Sequence, residues 1–146
     1  MSRYYDTGIL LKLYTEEPAS DSVRKFVTVH KQAILFTSLH FSECVSALQL
    51  KCFRKECEVG EAAAALLDIE ADRASGVLRK TSIEWEEAWS ECRNLSIAYA
   101  ATTGCRTLDA LHVACAKQSG AREFVTSDAR QGTLAGKAGL RVLKAT

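Results

Sequence analysis

Apolar positions along the chain follow two rhythms. Four short β-like segments stand at 3–6, 33–37, 123–126 and 140–143, and the second (AILFT) is a continuous apolar run. Such a run reads as a strand buried on both faces, because a half-exposed strand would alternate apolar with polar residues. A fifth short strand is expected at 77–78, just after Gly76. Between these runs the apolar residues recur at helical spacing. Residues 20–30 place Val23, Phe26 and Val27 on one side, and 38–53 do the same with Phe41, Val45, Leu48 and Cys52. The stretch 59–74 (VGEAAAALLDIEADRA) is rich in alanine, a strong helix former. Helical patterns at 83–101 (with Trp85, Trp89 and Leu95), 108–118 and 129–137 complete the set.

Strands alternating with helices predict an α/β fold, a parallel sheet with right-handed crossovers and helices on both faces. The expected architecture is a three-layer α/β/α sandwich around a short sheet of four or five strands. The two long helices in the middle are expected to form an arm or covering hairpin. A length of 146 residues suits a single domain, 1–146, and Pro18 is the only proline, with no low-complexity linker to divide the chain.

Composition narrows the function classes. Apolar residues make up 47% and charged residues 25%, the balance of a soluble globular protein. The net charge of +1 removes the global basic field of a non-specific nucleic-acid binder, so any such contact must be local or helped by bound metal. No run approaches the roughly 20 apolar residues needed to cross a bilayer, and no membrane association is expected. The opening MSRYYDTG has no apolar run behind a basic start, as a signal peptide would. Of the six cysteines, five are expected to serve as small buried hydrophobes in or beside helical stretches, while Cys105 stands in the turn before RTLDALH. None forms a C-x-x-C pair or a zinc-ligand pattern, so reduced thiols and a cytoplasmic location are expected.

In open α/β sheets, ligands bind beyond the carboxyl ends of the strands. Asp6 closes the first strand and Asp128 follows the strand at 123–126. Glu43 lies in the second turn of the helix after AILFT, and Asp109 in the first turn of the helix that starts near Thr107. Neighbouring strands would bring these four carboxylates to one cleft, where they cannot all stay ionised at low cost without a cation. All-oxygen ligands suit Mg²⁺ or Mn²⁺, hard ions that share ligands with substrate phosphates. Hydrolysis of a phosphodiester by metal-activated water is the matching reaction. Taken singly, each acid is equally a helix-terminus charge favoured by the dipole. The apolar settings FSECVSAL and TLDALHVACA argue against simple surface positions for Glu43 and Asp109.

The segments YYDTGILLKLY, TSLHFSECVSAL, RTLDALHVACA and FVTSDARQGTLAGKAGLRV resemble, in order and spacing, the PIN domain, and most of all its VapC-type toxin ribonucleases. The resemblance spans essentially the whole chain. It implies a PIN-like sandwich, an acidic Mg²⁺ or Mn²⁺ site made by Asp6, Glu43, Asp109 and Asp128, endoribonuclease activity on an RNA substrate, and inhibition by a cognate antitoxin protein. Apolar helices suit a symmetric homodimer. Other readings are a PIN nuclease of RNA processing or quality control, and a catalytically silent interaction module with the same fold.

Around the acids, Thr7, Thr126 and Ser127 either bond a carboxylate or substrate phosphate, or cap the next helix. Arg106 either meets RNA phosphate or an acid, or is solvated. His112, three residues after Asp109, reaches toward the site or is a packed core histidine. The stretch KCFRK at 51–55 is a solvated helix end or a guide for RNA. A histidine-based, metal-free ribonuclease would need His30, His40 and His112 to converge, and nothing in the sequence brings them together.

Overall fold

All five strands expected from the apolar runs are present in the computed structural model, which describes residues 2–146. In chain order the elements are β1 (Ser2–Tyr5), α1 (Thr7–Leu11), α2 (Ser20–His30), β2 (Ala33–Phe36), α3 (Ser38–Phe53) and α4 (Val59–Ser75). There follow β3 (Leu78–Lys80), α5 (Trp85–Thr103), α6 (Thr107–Gln118), β4 (Glu123–Val125), α7 (Ala129–Lys137) and β5 (Arg141–Leu143). The strands form one parallel sheet in the order β3-β2-β1-β4-β5. β1 is therefore central, flanked by β2 and β4, and its carboxyl end lies where the topology reverses direction, the usual place for a ligand crevice.

The period of two along each strand divides the core between two faces. Tyr4, Leu35 and Phe124 point into a cluster with α5, α6 and α7. Their chain neighbours Tyr5, Ile34, Phe36 and Val125 point the other way, into a cluster with α1 to α4. Both faces are thus covered, which explains why the strand sequences do not alternate. Helix α6 is buried at every position from Ala110 to Ala116, and its alanines and Cys115 let it pack close to the sheet. Helices α4 and α5 end at Gly76 and Gly104, whose φ values of 86° and 76° lie in the left-handed region that glycine adopts without strain.

The middle helices correct one expectation. Rather than forming a hairpin, α4 buries Ala62, Ala65 and Ile69 on one face of the sheet, and α5 buries Ala88, Cys92 and Leu95 on the other. Strand β3, at the sheet edge, carries the chain between them. The short helix α1 is also unforeseen. Its five residues turn directly out of β1, with the amides of Ile9 and Leu10 bonding to the carbonyl of Asp6. One buried ion pair ties the sheet together: Arg3 Nε donates to Glu123 Oε1 at 2.9 Å between register partners on β1 and β4. Among the described residues, no helix is long and apolar enough to cross a membrane.

Candidate functional site

Asp6 occupies the first residue beyond β1, where its backbone N–H still bonds the Val125 carbonyl at 2.9 Å. It stands at the N-cap of α1, yet its side chain caps nothing. The carboxylate instead turns into the crevice, where Gln131 Nε2 donates to Oδ1 at 3.4 Å. Burial lifts the Asp6 carboxyl above its ordinary range, His112 and Gln131 oppose that rise, and the charges of Glu43 and Asp109 add to it. Thr7, the next residue, bonds Glu43, so the fold sets Asp6 and Glu43 side by side although 36 residues separate Thr7 from Glu43.

Glu43 is held from two sides. Thr7 Oγ1 donates to Glu43 Oε1 at 2.7 Å, and His112 Nε2 bonds the same oxygen. Burial alone would raise this carboxyl, but the bonds from His112 and Thr7 outweigh it and hold the group below the usual carboxylate range. Glu43 is thus anionic at neutral pH. Behind it, Tyr4 hydroxyl and His112 Nδ1 lie 2.7 Å apart in the dry core. Burial above all holds the Tyr4 phenol well above its ordinary range, so it keeps its proton. An ionised Glu43 can only accept, which places a proton on His112 Nε2. In the neutral ring Nδ1 then accepts from Tyr4, and one chain of bonds links Tyr4, His112 and Glu43.

Asp109 and Asp128 are anchored differently. Asp109 Oδ2 accepts the Arg106 backbone N–H at 3.1 Å at the start of α6. Asp128 caps α7, its Oδ1 accepting from the amides of Arg130 and Gln131 at 2.9 and 3.2 Å. In each case the second oxygen is left for another partner. Burial raises the nearby Cys105 thiol, Thr103 opposes this, and the charges of Asp109 and Asp128 both raise it further. Among the described residues, no three His, Cys, Asp or Glu side chains are grouped tightly enough to hold a metal ion as they stand. The donor chemistry nevertheless fits a hard divalent cation: carboxylate oxygens, one of them burdened by its neighbours, bonded by Gln131, Thr7 and His112 and ion-paired to no lysine or arginine among the described residues.

The flanking residues separate into those that position and those that are free. Thr7 is buried against Glu43. Thr126 is buried too; it donates to Gln131 Oε1 at 2.8 Å and accepts the Asp128 N–H at 3.1 Å. Ser127 and Arg106 are exposed, and Arg106 meets Asp109 through its backbone rather than its guanidinium. Sequence reasoning missed Gln131, which joins Thr126 to Asp6 and is buried near the start of α7. Nothing in the sequence brought the histidines together, and the fold does so for two of them: the rings of His40 and His112 lie 5.1 Å apart. His40 is fully buried, its basicity pushed down to about 3 first by burial and then by His112. It caps α3 with Thr37 and bonds the Tyr5 carbonyl at 2.8 Å, so this pair is a scaffold, not an acid–base couple open to substrate. The KCFRK stretch sits at the far end of α3, roughly 20 Å from the helix start that faces the crevice. Lys51 there pairs with Glu17 and Glu56, which favours the solvated-end reading.

Comparison with known proteins adds a family and a fold. The family model for the PIN domain matches residues 3–137. Among solved structures, the chain is similar to VapBC2 from Rickettsia felis, a structure bound to a DNA fragment from their promoter (TM-score 0.68, 17% identity, 99% of this chain and 98% of that chain). It is similar to PAE2754 from Pyrobaculum aerophilum (TM-score 0.62, 16% identity, 97% and 83% of the two chains). FitAcB from Neisseria gonorrhoeae gives a TM-score of 0.59 at 14% identity over 98% and 97% of the chains. No curated protein sequence matches.

Proposed function

This chain belongs to the PIN domain family, and we propose that it is a metal-dependent endoribonuclease, the toxin of a toxin–antitoxin pair. The observation that carries the proposal is that Asp6 at the carboxyl end of β1 adjoins Thr7, which bonds Glu43, and is bonded by Gln131, whose backbone amide bonds Asp128, with no lysine or arginine paired to these acids among the described residues. Asp128, which accepts the Gln131 amide, and Asp109 would complete the set. These four would hold Mg²⁺ or Mn²⁺, which when bound supplies Lewis-acid activation of water and neutralises charge on the phosphodiester.

The protein's own residues set the stage for that reaction. Tyr4 and His112 fix one oxygen of Glu43 from the core side, and Thr7 bonds that same oxygen. Gln131 orients Asp6 while Thr126 orients Gln131. Buried tyrosine, histidine, threonine and glutamine side chains thus hold two carboxylates in place without any lysine or arginine, which leaves them suited to binding a cation. The kinship of fold with VapBC2 and FitAcB supports a cognate antitoxin as partner, one that would place an arginine or lysine among the same acids. A homodimer is part of the same reading.

The test is cleavage of single-stranded RNA by the purified protein. Activity is expected with Mg²⁺ or Mn²⁺, none in chelator, and products with 5′-phosphate and 3′-hydroxyl ends. Cyclic 2′,3′-phosphate ends, or full activity in chelator, would overturn the proposal.

A further inference from the structure

On the side of α3 away from Glu43 lies a cavity of about 700 Å³, within the size range of small-ligand sites. It is walled by the first turns of α3, the ends of β2 and β3, and the segment entering α5. Two cations line it, Arg73 and Lys80, and no aspartate or glutamate does. Neither forms an ion pair among the described residues. The Arg73 guanidinium lies over the Phe41 ring at 4.5 Å, and its Nε is buried without a hydrogen-bond partner. Phe41 and Trp85 supply half-buried aromatic surface, and Ser42 and Thr81 supply hydroxyls.

Unpaired cations beside aromatic rings match a ligand that is anionic at one end and flat at the other. We propose that this cavity is a nucleotide subsite, with Trp85 and Phe41 stacking an unpaired base and Arg73 and Lys80 holding its phosphate. The proposal rests on the reading of the chain as an RNA nuclease and names where the strand runs beyond the cleft. Phe36 ends β2 and Lys80 ends β3, so the cavity opens at the same sheet edge as Asp6. Two strand spacings, about 10 Å, separate the ends of β1 and β3. An apolar peptide would cover the rings but leave Arg73 and Lys80 without a counter-charge. A phosphate satisfies both, and a base stacks on the rings irrespective of sequence.

The probe is adenosine 5′-monophosphate, titrated in chelator so that the acidic cleft takes no part, with tryptophan emission as readout. Saturable quenching is expected in the intact protein and its loss in Trp85→Phe. Inorganic phosphate and adenosine should each bind at least about tenfold more weakly than the nucleotide, since each fills half the site. Lys80→Gln, at an exposed position that the fold tolerates, should weaken the nucleotide about tenfold, one charged hydrogen bond, and raise KM for RNA. No quenching, equal affinity for phosphate alone, or Lys80→Gln binding like wild type would each overturn the subsite. A shift in oligomeric state in Lys80→Gln without loss of nucleotide affinity would assign the cavity to a second copy and overturn it as well. Cleavage of RNA without nucleotide binding refutes the subsite alone. Nucleotide binding without any cleavage refutes the nuclease reading alone.

Discussion

Tyr4→Phe removes one oxygen atom from the core and tests the chain that orients Glu43. The ring would stay: Tyr4 is fully buried, stacked on Phe124 at 5.5 Å and against His40 at 4.7 Å, and phenylalanine keeps those contacts. What goes is the partner of His112 Nδ1 at 2.7 Å. His112 is 2% exposed, so water cannot replace it freely, and whichever tautomer forms, one ring nitrogen is left unpaired. Stranding a buried polar atom costs about 1–3 kcal/mol. At about 3 °C per kcal/mol for a chain of this size, the melting temperature should fall by roughly 3–9 °C. With Glu43 less firmly held, the metal concentration for half-maximal cleavage should rise about 10- to 100-fold, as when a ligand loses its outer support. Melts by circular dichroism and Mn²⁺ titration of RNA cleavage, well below the melting point, give the two numbers. An unchanged melt together with an unchanged metal response would reduce Tyr4 to a packing residue. A lower melt with an intact metal response would refute the orienting role alone.

Asp6→Asn should abolish cleavage, melt no lower than wild type in chelator at neutral pH, and gain less than wild type from Mn²⁺, whose binding at a hundred times Kd stabilises by about 2.7 kcal/mol. Because burial raises the folded Asp6 carboxyl above its ordinary 3.8, its favourable share of stability is full below that value and is lost as pH rises through the folded value. The stability of wild type relative to Asp6→Asn in chelator should therefore fall from acid to neutral pH, and a rise would refute the burial argument. Gln131→Ala should cost about 1–3 kcal/mol of stability, since Thr126 hydroxyl loses its acceptor, and weaken Mn²⁺ binding as well; an unaltered Mn²⁺ response would free Asp6 from dependence on Gln131. Glu123→Gln strands the buried Arg3 and should cost about 3–5 kcal/mol, while the double change Arg3→Met with Glu123→Leu should recover most of it. Equal melts for the single and double variants, measured by denaturant titration, would count against a dry ion pair.

The elements were legible because each carries its signal locally. AILFT and EFVT lack alternation because both sheet faces are covered, and α4 is alanine-rich wherever it is read. Placement was another matter. Whether α4 and α5 lie together or on opposite faces depends on β3, whose three residues include the exposed Arg79 and Lys80 and give little apolar signal. Helix α1 was hidden because TGILL continues the apolar run of β1, and only the bonding of its amides to the Asp6 carbonyl distinguishes a turn of helix from a longer strand.

The acids were legible for a different reason: a charge at a strand end, or one set among apolar neighbours, is a local anomaly. The residues that hold them are not anomalies. Tyr4 reads as a strand aromatic, His112 as a core histidine and Gln131 as a helix-surface amide, and each acquires meaning only from a partner up to 125 residues away. Their chemistry has a common feature that the sequence conceals. Each is uncharged or able to be uncharged, and each is buried. Had evolution tied Glu43 and Asp6 with arginine or lysine, the acids would be fixed equally well, but their charge would be spent within the protein, as it is for Glu123 against Arg3. Supporting them with tyrosine, histidine, threonine and glutamine fixes the oxygens and leaves the charge uncancelled. A cleft built in that way is costly for the folded chain alone, and under the proposed function a bound cation would offset that cost.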